Sequence, residues 1–144
     1  MPAADSPEKH INYRDRFARQ DFKIRNNLDA ISHATCQMAI DVGAKAIVVH
    51  SRSGVTARMV SRFRCPIDII GMTTSERIWR RLNLSWGVIP ILNEEFNSTD
   101  VMFYHGLNVA VDVLDLEKGD NVVMTGGLIN GTAGNTNTIK VETV

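Results

Sequence analysis

The chain has little of what usually fixes a function at sight. Among its 144 residues there are two cysteines, Cys36 and Cys65, without CxxC spacing, which excludes a disulfide framework or a thiolate zinc site and leaves two reduced thiols. Aromatics make up 6%, and sixteen basic residues cancel sixteen acidic ones. No overall field therefore recruits nucleic acid or an anionic membrane, and any anion site must be local. No apolar run approaches the roughly 20 residues of a membrane helix, and Met1 to His10 lacks the apolar middle of a signal peptide. A cytoplasmic protein is expected. No activated nucleophile and no carboxylate cluster with metal-ligand spacing is visible, so the residues offer neither a catalytic centre nor a metal site.

What the chain does have is an ordered alternation. Residues 1–25 read as a lead and arm, the first ten disordered or of artificial origin, the rest a short helix or extended arm with Tyr13, Phe17 and Phe22. Residues 26–144 read as one α/β domain, and a chain of this length buries roughly two-thirds of its unfolded surface in a single core. Leu28, Ile31, Thr35, Met38, Ala39 and Val42 recur at helical spacing, and Gly43 stops the helix. Three strand-to-helix units follow: 46–49 into 54–63, 67–71 into 75–83, and 88–92 into 98–114. Their strands are continuous apolar runs, as parallel strands covered on both faces require. A last pair, 121–125 and 138–144, flanks a glycine-rich segment, and the second member alternates like an antiparallel edge. The expected fold is a three-layer α/β/α sandwich around a mostly parallel five-stranded sheet whose last strand is antiparallel.

The segment Ser51-Arg52-Ser53-Gly54-Val55-Thr56 carries the most chemistry. A β-branched run empties into hydroxyls, a glycine and an arginine at the start of a helix, where backbone N–H groups and the helix dipole favour an anion. The ordinary alternative is a strand-to-helix turn with a serine cap. In a right-handed parallel sheet this turn and the glycine-rich segment leave their strands at the same end, so the two loops can face each other.

The residues resemble a known family from about Asp29 to Val144, the C-terminal domain of pyruvate kinase. The likeness rests on Asp29-Ala30-Ile31-Ser32-His33-Ala34-Thr35-Cys36, on Ala46 to Arg58, and on Met59 to Pro66. It continues through Gly87-Val88-Ile89-Pro90, Lys118 to Gly126, and Thr136 to Val141. The resemblance implies a regulatory domain that binds a phosphorylated effector and makes subunit contacts, here through the helix 98–114 and the last strand. It also implies that catalysis, phosphate transfer from phosphoenolpyruvate to ADP in glycolysis, with Mg²⁺ and K⁺, resides in a barrel preceding this domain. This chain would then hold no cofactor and be inactive alone, with the barrel as a partner. The alternative is a free-standing phosphometabolite-binding or scaffold protein of the same fold.

Carried over residue by residue, the resemblance places the effector's phosphate on Ser51, Arg52, Ser53, Gly54 and Thr56. It makes Gly126, Gly127, Asn130, Gly131 and Gly134 part of a closing loop. The family's second phosphate seat needs an arginine where this chain has Met102, and a tryptophan that is missing around Glu95; Glu94 and Glu95 oppose a second phosphate. A sugar monophosphate or nucleoside monophosphate is therefore expected in place of fructose 1,6-bisphosphate. Arg52→Ala or Gly54→Val should remove binding and leave the fold intact.

Other residues weigh less. Arg58, Arg62 and Arg64 read as solvent-facing or subunit-contact charges, and His33 as a packed or surface residue. His50, at the strand end, is balanced between a phosphate sensor and a structural residue. Trp79 and Trp86 bracket Arg80 and Arg81, too few cations for nucleic acid, and read as buried rings at a packing or subunit interface.

Overall fold

The computed structural model describes residues 13–19, 22–126 and 136–144. In chain order the elements are α1 (Tyr13–Arg19), α2 (Asn27–Asp41), β1 (Ala46–His50), α3 (Val55–Arg62), β2 (Asp68–Thr73), α4 (Glu76–Leu82), β3 (Val88–Leu92), α5 (Thr99–Leu114), β4 (Asn121–Gly126) and β5 (Thr138–Thr143). The five strands lie in the order β3-β2-β1-β4-β5. Pairing is parallel from β3 to β4, and β5 runs antiparallel to β4. The three-layer sandwich read from the sequence is the fold observed.

Strand alternation divides the core in two. Ile47, Val49, Ile69 and Val123 face α2, α3 and α4, meeting Cys36, Ala39, Ala57, Val60, Ile78 and Leu82. Ala46, Val48, Ile70, Met72, Val122 and Met124 face α5, meeting Met102, Phe103 and Ala110. Burying each such aliphatic side chain stabilises by roughly 1.5–3 kcal/mol. An exposed ion pair such as Arg80–Glu76 contributes about 1 kcal/mol at most. The fold is thus set by the strands, and surface ion pairs near the strand ends can break without endangering it.

β3 departs from the expected double covering. Its residues are half-buried and Leu92 is exposed, because strand order puts β3 at the sheet edge. β2 runs through Met72 and Thr73, beyond the expected end at Gly71, because its pairing with β1 and β3 continues to those residues. Phe17 of α1 is buried against Phe63, with Phe22 and His33 completing the cluster, so His33 is a packing residue.

The two thiols are free and buried. Cys65 Sγ donates to the Cys36 carbonyl and Cys36 Sγ to the Val60 carbonyl, each at 3.9 Å. The hydrogen bond with Cys65, together with burial, pushes the Cys36 thiol far above its ordinary range, so it supplies no thiolate nucleophile. Trp79 donates its indole N–H to the Pro90 carbonyl at 3.2 Å, clamping α4 to β3. Trp86 lies under the Arg64 guanidinium, 4.8 Å from the ring centroid. Arg64 is therefore a packing residue at the amino-terminal end of β2, remote in the fold from the β1–α3 loop.

Candidate functional site at the β1–α3 loop

From β1 the chain steps through β2 to β3 and then crosses by α5 to β4 on the other side of β1. Strand order therefore reverses between β1 and β4, and their carboxyl ends open the crevice where ligands of open parallel sheets bind. Ser51 to Gly54 leave β1 at that point, and Gly126 ends β4 beside it. An added Cβ on Gly126 would stand 3.4 Å from the His50 Cβ.

The loop is anchored from below and open above. Ser51 N–H donates to the Met72 carbonyl at 2.9 Å, continuing the ladder. Thr73 Oγ1 donates to the Arg52 carbonyl at 3.4 Å and accepts from Ser75 N–H at 3.2 Å, tying the loop to β2 and α4. Ser51 and Thr56 are buried, whereas Arg52 and Ser53 are exposed. Gly54 has φ +76°, and a Cβ there would lie 2.8 Å from Ile78 Cγ2. Only glycine allows the chain to turn left-handed and α4 to pack this close.

This turn leaves the start of α3 unusual in the chain. Asn26 caps α2, Ser75 caps α4 and Ser98 caps α5 through their side chains, and each of those helices has an acid in its first turn. At α3 the capping residue is Gly54, without a side-chain bond, and the first turn has no acid. Ser53 Oγ accepts from Val55 N–H at 3.3 Å, which fills one orphan donor. The N–H groups of Thr56 and Ala57 belong to the set a helix leaves without intrahelical partners. The serine-capped turn weighed as the ordinary alternative is thus realised only in part.

Two partners were not legible from spacing. Thr56 Oγ1 lies 2.8 Å from Thr136 Oγ1, joining the β1–α3 loop to the segment that enters β5. Arg52 forms an ion pair with Glu95 of the β3–α5 connection. A cleft of about 680 Å³ lies alongside, lined by Thr74, Glu76, Leu92, Asn93, Glu94 and Glu95. The expected facing of two loops is represented by Thr56, Thr136 and Gly126. Gly127, Asn130, Gly131 and Gly134 lie outside the described residues.

His50 belongs to the opposite face. Its ring meets Phe103 and Phe96 edge-on at 5.8 and 6.5 Å, and Nε2 is buried without a partner beneath Gly106, where a Cβ would come within 2.7 Å. Burial, with a smaller like-charge contribution from His105, pushes its imidazole down to about 4. A neutral ring turned toward α5 does not sense an anion on the α3 side, and the sensor reading is corrected accordingly. Met102, at the position expected to lack the second cationic seat, is buried with its Cε 3.1 Å from a Cβ placed on Gly126. An apolar plug thus fills that corner. The expectation that Gly54→Val leaves the fold intact is also corrected, since both φ and Ile78 oppose it. Among the described residues no group of three or more His, Cys, Asp or Glu is placed to hold a metal ion. No described helix is long and apolar enough to cross a membrane.

Fold and site together define the class: a three-layer α/β/α domain whose crevice lies at the carboxyl ends of parallel strands. A family model described as "Pyruvate kinase, alpha/beta domain" matches residues 29–142, and the chain belongs to that family. A pyruvate kinase of Clostridium acetobutylicum is 38% identical over 98% of this chain, a match that runs into the lead, and over 30% of its own length. Pyruvate kinase 2 of Synechocystis sp. is 43% identical over 81% of this chain and 20% of its own length. A pyruvate kinase of Staphylococcus aureus is 34% identical over 98% and 24%. The chain therefore spans between a fifth and a third of the length of these relatives.

Proposed function

We propose that this chain is the regulatory part of a cytoplasmic pyruvate kinase. It binds a phosphorylated effector at the β1–α3 loop and makes subunit contacts through α5 and β5. The whole enzyme would transfer phosphate from phosphoenolpyruvate to ADP, with its metal ions and reacting groups in a barrel outside these residues. The observation that carries the binding reading is the start of α3: a helix end at the β1–β4 crevice whose capping residue is a glycine and whose first turn has no acid, flanked by the exposed Arg52 and Ser53. A phosphate there accepts from backbone N–H groups and from the guanidinium, charge-assisted bonds of about 1.5–3 kcal/mol each.

One phosphate is favoured over two. Met102 is buried apolar surface, and Glu76, Glu94 and Glu95 line the adjoining cleft. Residues 82–117 contain no Lys or Arg, so neither the β3–α5 connection nor α5 itself offers a second phosphate a cation. A sugar monophosphate or nucleoside monophosphate, which brings no second phosphate to those carboxylates, suits the cleft better than fructose 1,6-bisphosphate. The exposed Val101 and Tyr104 support α5 as a contact surface. Binding is tested by titration calorimetry of the chain with a panel of sugar and nucleoside monophosphates, with Arg52→Ala in parallel. A saturable signal that weakens tenfold or more in the variant is expected; equal binding by both proteins would remove the loop from the account.

A further inference from the structure

Arg52, the cation a phosphate would need, is already held by a carboxylate. Glu95 reaches it from the β3–α5 connection, and the two side chains are 56% and 68% exposed. A pair this wet exchanges readily. A phosphate monoester has a larger charge and more acceptor oxygens than a carboxylate, so it has oxygens for backbone N–H groups as well as for the guanidinium. The two anions compete for one arginine.

Glu95 also sits where release has consequences. Asn93 N–H is fixed to the Thr73 carbonyl at 2.9 Å, and Ser98 caps α5 by accepting from Val101 N–H at 3.3 Å. Between these anchors the connection is held by Phe96, whose ring lies 5.1 Å from that of His105 on α5 and 6.5 Å from that of His50, and by Glu95 on Arg52. Freeing Glu95 leaves the tether that leads into α5 to the Phe96 ring and to Asn93 Nδ2, which donates to the Glu94 carbonyl at 2.8 Å.

We propose that Glu95 is an internal stand-in for the effector's phosphate. It occupies Arg52 in the empty chain, leaves when phosphate arrives, and thereby sets the affinity of the site and carries its occupancy to the start of α5. This rests on the reading of the β1–α3 loop as a phosphate seat. The intramolecular contact lowers apparent affinity by the fraction of time that Arg52 is held. Displacement also returns a carboxylate to the neighbourhood of Glu94 and Glu76, which penalises a ligand bearing further negative charge on that side.

The test is calorimetric titration of the 144-residue chain with glucose 6-phosphate, comparing wild type, Glu95→Gln and Glu94→Gln. Both glutamates are exposed, so neither substitution threatens the core. Glu95→Gln should tighten binding about three- to tenfold, equivalent to Arg52 being held roughly two-thirds to nine-tenths of the time. Glu94→Gln, which removes the same charge without touching the pair, should change it less than about twofold. Amide resonances of residues 94–97 in unliganded Glu95→Gln should lie near those of liganded wild type. If wild type binds and Glu95→Gln binds equally or more weakly, or Glu94→Gln tightens binding as much, the stand-in is refuted while the phosphate seat remains. Unchanged amide positions in Glu95→Gln would refute transmission to α5. Failure of all three proteins to bind would overturn the seat itself.

Discussion

α3 and α5 follow strands that end on the same, carboxyl side of the sheet, each strand apolar and parallel, yet the two helices begin in opposite ways. α5 is capped by Ser98, has Asp100 in its first turn and follows Glu94 and Glu95. α3 begins from a left-handed glycine without a side-chain cap, has no acid in its first turn and follows Arg52. A helix start of the first kind satisfies its own donors and its own dipole; one of the second kind gains by accepting an anion from outside. The Arg52–Glu95 pair joins the two, the surplus acid of one start meeting the surplus base of the other.

The largest way to break the comparison is Gly54→Val. A valine at φ +76° with its Cβ 2.8 Å from Ile78 Cγ2 combines backbone strain with overpacking. A loss of roughly 2–5 kcal/mol is expected, read from chemical denaturation. Its loss of ligand would then reflect a damaged fold, which makes Arg52→Ala the cleaner probe.

His50 extends the contrast to the carboxyl end of β1, where Arg52 and Ser53 of the following loop are exposed while the His50 ring is sealed against α5. The unfolded chain takes up a proton on this residue near pH 6.5 and the folded chain only near pH 4. Between those values the unfolded state binds more protons, so stability falls as pH is lowered through the window, by up to about 3 kcal/mol. Denaturation midpoints at pH 7, 6, 5 and 4 should show this decline, and His50→Leu should flatten it whatever its absolute stability. A wild-type profile as flat as that of the variant would show that the ring is not sealed.

The smallest expected effects fall on the caps themselves. Ser98→Ala removes the bond to Val101 N–H and should cost about 1 kcal/mol. Ser53→Ala, at an exposed residue outside the capping position, should stay within about 0.5 kcal/mol and act instead on ligand affinity. Equal stability losses would mean that α3 depends on its serine as α5 does, and the contrast would fail.

Local features of this site were legible in the sequence. The run Ala46–Val49, the serines before α4 and α5, the stop at Gly43 and the hydroxyl-rich turn after β1 are all written within a few residues, where periodicity and capping act. What lay outside such reasoning was set at a distance. The half-exposure of β3 follows from strand order. His50 could have been assigned to its face by alternation from Val48, yet the roof supplied by Gly106 depends on how α5 docks. Arg52 meets Glu95 across 43 positions and Thr56 meets Thr136 across 80, pairings no spacing rule connects. In the sequence both glutamates read as deterrents to a second phosphate; that Glu95 pairs with Arg52 is set only by the folded chain.

The central claim, that the start of α3 is an anion seat and the start of α5 is not, is tested most directly by following backbone amide resonances while glucose 6-phosphate is added to the chain. The account predicts saturable shifts at Ser53, Gly54, Thr56 and Ala57, while the amides of Val101 and Met102 inside the first turn of α5 move far less. Shifts absent from the β1–α3 loop at saturating ligand, or equal at both helix starts, would contradict it.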